Sequence, residues 1–197
     1  MYIETHASSA SLFCKKTEQT FFVSPERYFS MRFAIGDLIF YGESGTCRVE
    51  EIVEREFLGE LRTCYRLSPV YQSCTIFTPA DSETVFMRNI VSPKKAQAII
   101  DSIETIVPEV TKTTSPRELT ERYDKMIKTH DCNEYMKFVV SFHVKKKLLA
   151  EQKKKVSAID ERFLKKVEDL LYGELAAALE MDKIAAKLLI QERVQAL

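Results

Sequence analysis

The pattern of hydrophobic and polar positions changes near residue 91 of the 197-residue chain. From residue 31 to that point, short alternations of apolar and polar residues are separated by turn residues, which is typical of antiparallel strands. Beyond it, apolar residues recur at three- and four-residue spacing, which is typical of amphipathic helices. The sequence therefore predicts an α+β protein, with a small barrel-like antiparallel sheet followed by an all-helical bundle.

Five segments have the alternation expected of strands. Gly45 and Gly59 predict tight turns beside the second segment, because glycine adopts positive φ at little steric cost. The Glu50–Glu51 pair predicts a β-bulge. A sheet this small buries little surface, so we expect it to depend on the following helices for stability. The segments are DLIFY (37–41), CRVEEIVEREF (47–57), RTCYRLSPV (62–70), CTIFTP (74–79) and TVFMR (84–88).

Ser92 predicts the first helix, since serine caps helix N-termini and Pro93 suits the first helical position. Residues 107–116, with two prolines and four hydroxyl residues, predict a linker. The pattern of residues 116–197 predicts about four helices, one of which begins with a capping box at Ser157. Gly173 lies inside that helix, where glycine costs about 1 kcal/mol relative to alanine, and it predicts a close contact with another helix.

These patterns divide the chain into four parts: an extension (1–30), a β-module (31–91), a helix with a linker (92–115) and a helical domain (116–197). The extension has no clear periodicity. It is interpreted as a segment outside the folded core, as a sign that translation begins at Met31, or as a strand from TFFVS (20–24) added to the β-module.

The charge distribution is uneven although the net charge is zero. Residues 117–166 carry 14 basic and 8 acidic side chains, and the flanking segments are acidic. A basic segment of this kind favours a polyanionic partner, and the alternative is an ordinary solvated lysine-rich helix face.

Other function classes find little support in the sequence. The five cysteines are odd in number and fit no zinc spacing, so we interpret Cys47, Cys64 and Cys74 as buried hydrophobic residues in a reducing cytoplasm. No segment reaches the roughly 20 apolar residues of a membrane span, and no signal-peptide pattern begins the chain. Phosphate-loop, metalloprotease and nucleophile-elbow motifs are missing, so we expect no enzyme, cofactor or metal ion.

The motifs together resemble a known family. MRFAIGDLIFYGESGTCRVEEI (31–52) and VYQSCTIFTPADSETVFMRNIVSPKKAQAII (70–100) are similar to the CarD/CdnL family of bacterial RNA-polymerase-binding transcription regulators. The same module resembles the RNA-polymerase-interacting domain of transcription-repair coupling factor. ERYDKM (121–126) and SAIDERFLKKVEDLLYGELAAAL (157–179) extend the resemblance through the helical half.

The resemblance implies a fold and a function. A Tudor/SH3-like β-barrel is expected to dock on the β subunit of RNA polymerase, and a helical domain to contact promoter DNA beside the transcription bubble. Together they would change the stability of the open complex. Arg55 matches a family arginine that contacts polymerase, and Phe77 stands where some members have a second arginine. The candidate polymerase-binding residues, on a strand edge that can pair with a β-subunit strand, are Arg55, Phe57, Thr75 and Phe77.

On the DNA side, Leu119 matches a family tryptophan that wedges into the minor groove. It is interpreted either as an apolar wedge or as an ordinary bundle residue. Arg122 and Arg162 match basic positions of the family. The candidate DNA-binding residues are Leu119, Arg122, Lys125, Lys153, Lys154, Lys155, Arg162 and Lys165.

We therefore expect a monomeric, cytoplasmic, nucleoid-associated bacterial protein. Its expected partners are the RNA polymerase β subunit and promoter double-stranded DNA, bound largely independently of sequence. The alternative is a protein–protein adaptor whose lysines only confer solubility and which binds no DNA.

Overall fold

The computed structural model describes residues 21–22, 31–57, 59–110 and 115–197. The architecture is α+β, as predicted: an antiparallel sheet precedes five α-helices. The strands are β1 (Phe21–Phe22), β2 (Leu38–Tyr41), β3 (Gly45–Phe57), β4 (Glu60–Pro69), β5 (Ile76–Pro79) and β6 (Met87–Asn89). The helices are α1 (Pro93–Asp101), α2 (Pro116–Ile127), α3 (Cys132–Glu151), α4 (Ala158–Ala178) and α5 (Lys183–Gln195).

The sheet has the strand order β5-β4-β3-β2-β6, with β1 paired to β3 beside this path. The register between β3 and β4 shifts between Val49 and Glu51, which confirms the predicted bulge. The predicted β-barrel is not closed. Strands β5 and β6 lie at opposite ends of the order and do not pair with each other in the described part of the chain, so the sheet is open.

Two neighbouring residues of β2 explain why the sheet does not need to close. Ile39 and Phe40 are both completely buried, but successive residues of a strand point to opposite faces. Ile39 belongs to the core of the β-module, whereas Phe40 belongs to the core formed by the helices. The second face of the sheet is thus covered by helices, as the small size of the module predicted.

The strand β1 pairs antiparallel with the edge of β3, with Phe21 opposite Glu54 and Phe22 opposite Val53. Of the three interpretations of residues 1–30, the added strand therefore agrees with the structure. The rest of that segment lies outside the described residues.

The helices begin where the sequence predicted. The Ser92 hydroxyl accepts a hydrogen bond from the backbone N–H of Lys95, and the Ser157 hydroxyl accepts one from Asp160. The apolar stripe of the first helix is buried in the helical core, and four helices follow residue 115 as predicted. No helix in the described residues is long and apolar enough to cross a membrane.

Gly173 allows a close contact, but not with a helix as predicted. A Cβ atom at Gly173 would lie 3.1 Å from Cε2 of Tyr71, in the loop after β4. The hydroxyl of Tyr71 donates a hydrogen bond to the Gly173 carbonyl oxygen over 3.1 Å. The glycine thus brings the β-module close to α4.

The prediction for the cysteines is correct for Cys47 and Cys64 and wrong for Cys74. Cys74 lies in the loop before β5 and is exposed, because the strand begins only at Ile76. Burial raises the pKa of Cys47 to about 12 and that of Cys64 to about 11, so both thiols stay protonated near neutral pH.

Candidate functional site

The structure brings together two of the residues that the sequence assigned to polymerase binding. The guanidinium carbon of Arg55 lies 4.0 Å from the centroid of the Phe77 ring, although β4 separates their strands in the sheet. Phe77 remains 39% exposed. A guanidinium over an aromatic face is attracted by the ring quadrupole, so the pair is held in place while part of the ring faces solvent.

The strand β5 forms an edge of the sheet, since β4 is its only partner strand among the described residues. An unpaired strand edge presents backbone N–H and C=O groups that can pair with a strand of another protein. Thr75 is exposed directly before this strand, two residues from Phe77. Arg55, Thr75 and Phe77 with the edge of β5 are called the β5 surface below.

Phe57 was also predicted to bind polymerase. Its backbone ends β3 opposite Glu60 at the hairpin, but its side chain lies outside the described residues. Two ion pairs flank the β5 surface: Arg66 with Glu51, and Arg62 with Asp81, each at 2.8 Å. The β5 surface therefore combines one exposed aromatic ring with paired charges.

The predicted DNA-binding cations lie on the surface of the helical half. Arg122 and Lys125 are exposed on α2, and Arg162 and Lys165 are exposed on the first turns of α4. The remaining three, Lys153, Lys154 and Lys155, are exposed in the turn between α3 and α4.

An aromatic pair connects the α2 and α4 cations. The guanidinium of Arg162 lies 4.9 Å from the ring centroid of Phe163, and this ring lies 5.2 Å from that of Tyr123. Arg122 directly precedes Tyr123 in α2. The arginines that matched family positions thus stand on adjacent helices around one aromatic contact.

Leu119 does not belong to this surface. Its side chain is 3% exposed and lies in the helical core. Its burial agrees with the ordinary bundle interpretation, and the wedge stays a prediction. Burial of the Leu119 side chain in the core stabilises the fold, and this stabilisation would be lost if the side chain moved into a DNA groove.

Sequence reasoning identified Asp160 at the start of α4 as part of a capping box but missed that its carboxylate is buried. Asp160 is 2% exposed and accepts hydrogen bonds from Tyr123 (2.6 Å), Lys145 (2.8 Å) and Ser157 (2.9 Å). Burial alone would raise the pKa of Asp160, but the hydrogen bonds from Lys145, Tyr123 and Ser157 outweigh it and lower the pKa. The capping-box spacing was the signal for Asp160, whereas nothing local marked Lys145 as its partner.

A second buried carboxylate joins the sheet to the helices. Glu174 of α4 is 0% exposed and makes a two-point ion pair with Arg88 of β6. Its Oε1 also accepts the Val91 backbone N–H over 2.9 Å, and its Oε2 lies 3.0 Å from the sulfur of Cys132. Burial alone would lower the pKa of Arg88. The hydrogen bond to Glu174 and the negative charge of Glu174 outweigh this effect, so the pKa is raised. One side chain therefore ties α4 to β6, to Val91 in the segment between β6 and α1, and to the start of α3.

A cleft of about 400 Å³ lies between the β-module and α4. Its walls include Arg162, Lys165 and Lys166 on the helix, and Glu43 and Tyr71 on the module side. Lys166 and Glu43 form an ion pair across it at 2.7 Å. The α4 cations therefore stand at the junction of the two halves of the protein.

Comparison with known families agrees with this geometry. Residues 33–91 match the sequence model of the family described as the CarD-like/TRCF RID domain. The matched segment contains β2 to β6 and the β5 surface, and it ends directly before α1. A domain of this family supports interaction with RNA polymerase and a role related to transcription. Residues 33–91 of this chain are therefore a CarD-like RNA-polymerase-interacting domain.

Proposed function

We propose that the protein is a bacterial transcription regulator that binds the β subunit of RNA polymerase through the β5 surface and promoter DNA through the cations of its helical half. It acts by changing the stability of the open complex, without catalysis, as a cytoplasmic and nucleoid-associated monomer. The observation that carries the proposal is the Glu174 ion pair, which joins a polymerase-interacting domain to a cation-bearing helical bundle within one body.

The polymerase half of the proposal is supported by the β5 surface. The surface lies inside the matched domain and offers an open strand edge with a partly exposed phenylalanine ring beside it. In strand addition, backbone hydrogen bonds supply affinity while side chains next to the edge select the partner. Arg55 and Phe77 occupy that selecting position.

The DNA half is supported by the exposed cations. Lys125, Lys153, Lys154, Lys155 and Lys165 make no ion pair with any residue in the described part of the chain. Such side chains can neutralise backbone phosphates and release condensed counterions, which gives salt-dependent binding with little dependence on sequence.

Joining the two surfaces explains how binding would regulate transcription. A protein held on polymerase keeps its cations at a high local concentration near the promoter. It changes the equilibrium between promoter states only if its interactions with DNA differ between those states.

Capture of the purified full-length chain by a fragment of the polymerase β subunit tests the first half. Arg55→Glu is expected to weaken capture about tenfold or more, since it removes a cation and reverses the charge beside the edge. Lys94→Glu is the matched control, because Lys94 is an exposed cation on α1, outside the β-module. Equal capture of both variants and the parent chain would remove Arg55 from the interface.

Binding of a DNA duplex by the full-length chain over about 50–200 mM salt tests the second half. Changing Lys153, Lys154 and Lys155 to Gln is expected to reduce the salt slope by up to about 2.7, or about 0.9 for each phosphate that the variant no longer neutralises. The control changes three exposed lysines outside the cluster: Lys94, Lys95 and Lys187. Failure of the parent chain to bind DNA at low salt would favour the protein–protein adaptor instead.

A further inference from the structure

A shallow groove of about 170 Å³ lies between α2 and α3, and the segment after α1 crosses it. Arg122 of α2 and Lys137 of α3 stand on its two sides. Lys137 Nζ donates a hydrogen bond to one carboxylate oxygen of Glu109, and Arg122 Nη2 lies 3.5 Å from the other. A carboxylate from the connecting segment thus lies between two cations that belong to different helices.

The backbone of the connecting segment is fixed at this point. The N–H of Glu109 donates a hydrogen bond to the hydroxyl of Ser141 over 2.9 Å, and Ser141 is 8% exposed. The position of the carboxylate over the groove is therefore set by a backbone anchor that does not involve the carboxylate itself.

The ion pairs themselves are open to solvent. The side chains of Glu109, Arg122 and Lys137 are 57%, 54% and 37% exposed. Exposed pairs of this kind contribute about 1 kcal/mol or less to stability, because water and salt compete with them. Another anion can take the place of the carboxylate at little cost to the fold.

Carboxylate and phosphate oxygens accept the same charge-assisted hydrogen bonds from arginine and lysine. We infer that Arg122 and Lys137 form a phosphate-binding site for the DNA backbone, which Glu109 occupies in the free protein and which a DNA phosphate takes over by displacing that carboxylate. The inference rests on the proposed DNA binding and adds an internal competitor to it. The hydrogen bond from Lys137 and the charge of Arg122 lower the pKa of Glu109, so the competitor stays ionised near neutral pH.

The test compares the binding of a labelled DNA duplex by the full-length parent chain and by Glu109→Gln, over about 50–200 mM salt. Removing the competitor is expected to raise affinity at the lowest salt about three- to fivefold. The salt slope is expected to steepen by about 0.9 for each additional phosphate that the two cations neutralise. The anchoring N–H of Glu109 is retained, so circular dichroism should show an unchanged fold.

Glu134→Gln is the matched control. Glu134 lines the same groove and carries the same charge, but it forms no ion pair with either cation among the described residues, and it raises the pKa of Lys137 less than Glu109 does. It is expected to change affinity less than twofold. In a chain that already carries Arg122→Gln and Lys137→Gln, Glu109→Gln is expected to give no increase in affinity.

The outcomes separate this inference from the proposed function. If the parent chain binds DNA and Glu109→Gln binds no better than Glu134→Gln, the internal competitor is refuted while DNA binding stands. An increase in affinity that persists without Arg122 and Lys137 also refutes it. If neither the parent chain nor Glu109→Gln binds DNA, both the inference and the DNA half of the proposed function are overturned.

Discussion

Glu174 and Arg88 face each other across the junction of the sheet and the helices, with Nη2 of the arginine 2.8 Å from Oε2 of the glutamate. The glutamate is completely buried, and the arginine side chain is 23% exposed. The same guanidinium donates to the carbonyl oxygen of His130 in the turn before α3. The pair therefore holds the polymerase-interacting domain in one position against the helical half.

Replacing Glu174 by alanine should destabilise the protein strongly. The change leaves the charge of Arg88 without its carboxylate partner, and the N–H of Val91 without its acceptor, in a largely buried site. Removing one partner of a buried ion pair typically lowers the unfolding free energy by about 3–5 kcal/mol. We expect a loss of this size for Glu174→Ala, and urea denaturation would measure it. Glu192→Ala, an exposed change on α5, should stay within about 0.5 kcal/mol. If Glu174→Ala lowers the unfolding free energy by less than about 1 kcal/mol, other interactions hold the junction between the sheet and the helices.

The close contact between Gly173 and Tyr71 predicts a coupling between two substitutions. Gly173→Ala should gain about 0.5–1 kcal/mol of helix propensity, but its Cβ would press on the tyrosine ring at 3.1 Å. In the parent chain the two effects oppose each other, whereas in a Tyr71→Ala chain only the favourable effect remains. A double-mutant cycle by urea denaturation should therefore show a coupling of at least about 0.5 kcal/mol. Additive effects would mean that the ring moves aside freely.

The Asp160 network predicts a specific acid dependence of stability. The pKa of Asp160 is lowered in the folded protein, and an unfolded aspartate titrates near about 3.9. The ionised Asp160 therefore makes its full contribution to the unfolding free energy above about pH 4, and this contribution is lost as the pH falls through the folded-state pKa. Asp160→Asn does not titrate, so its deficit in unfolding free energy should be constant above about pH 5 and should shrink below about pH 4. A deficit that stays the same at low pH would contradict the network.

The exposed ring of Phe77 predicts a contact with polymerase that is apolar in character. Phe77→Ser should weaken capture by a β-subunit fragment about tenfold, because a partly exposed aromatic ring at the centre of an interface often supplies about 1 kcal/mol or more. Leu61→Ser is the control: Leu61 is 59% exposed on β4, and the register places it on the opposite face of the sheet. Equal weakening by both variants would indicate a general loss of folding, and no weakening would exclude Phe77 from the contact.

Local features of the fold could be predicted from the sequence. Strand alternation, the bulge after Val49 and the caps at Ser92 and Ser157 depend on residues close together in the chain. Each of these predictions was correct because backbone geometry and short-range hydrogen bonds determine it. The match of residues 33–91 to a known domain family also agrees with the resemblance.

Features that depend on distant residues could not be predicted in this way. Phe40 looks like any strand residue, but it is buried among the helices, and this covering of the sheet replaces barrel closure. Lys145 lies in a lysine-rich stretch that fits an exposed surface by composition, but its ammonium group donates a hydrogen bond to Asp160 of the neighbouring helix. The partner of Gly173 lies 102 residues away. Spacing along one helix does not show which element packs against it.

We propose that one chain carries a polymerase-binding surface and a DNA-binding surface that act together. The most direct test is the lifetime of a promoter open complex, challenged with a DNA competitor, in the presence of the parent chain, Arg55→Glu, the Lys153/Lys154/Lys155→Gln variant, or an equal mixture of the two variants. The parent chain is expected to change the lifetime about fivefold, a coupling of about 1 kcal/mol, whereas neither variant nor their mixture is expected to change it. A full effect from either variant alone, or its restoration by the mixture, would show that the two surfaces do not act together within one chain.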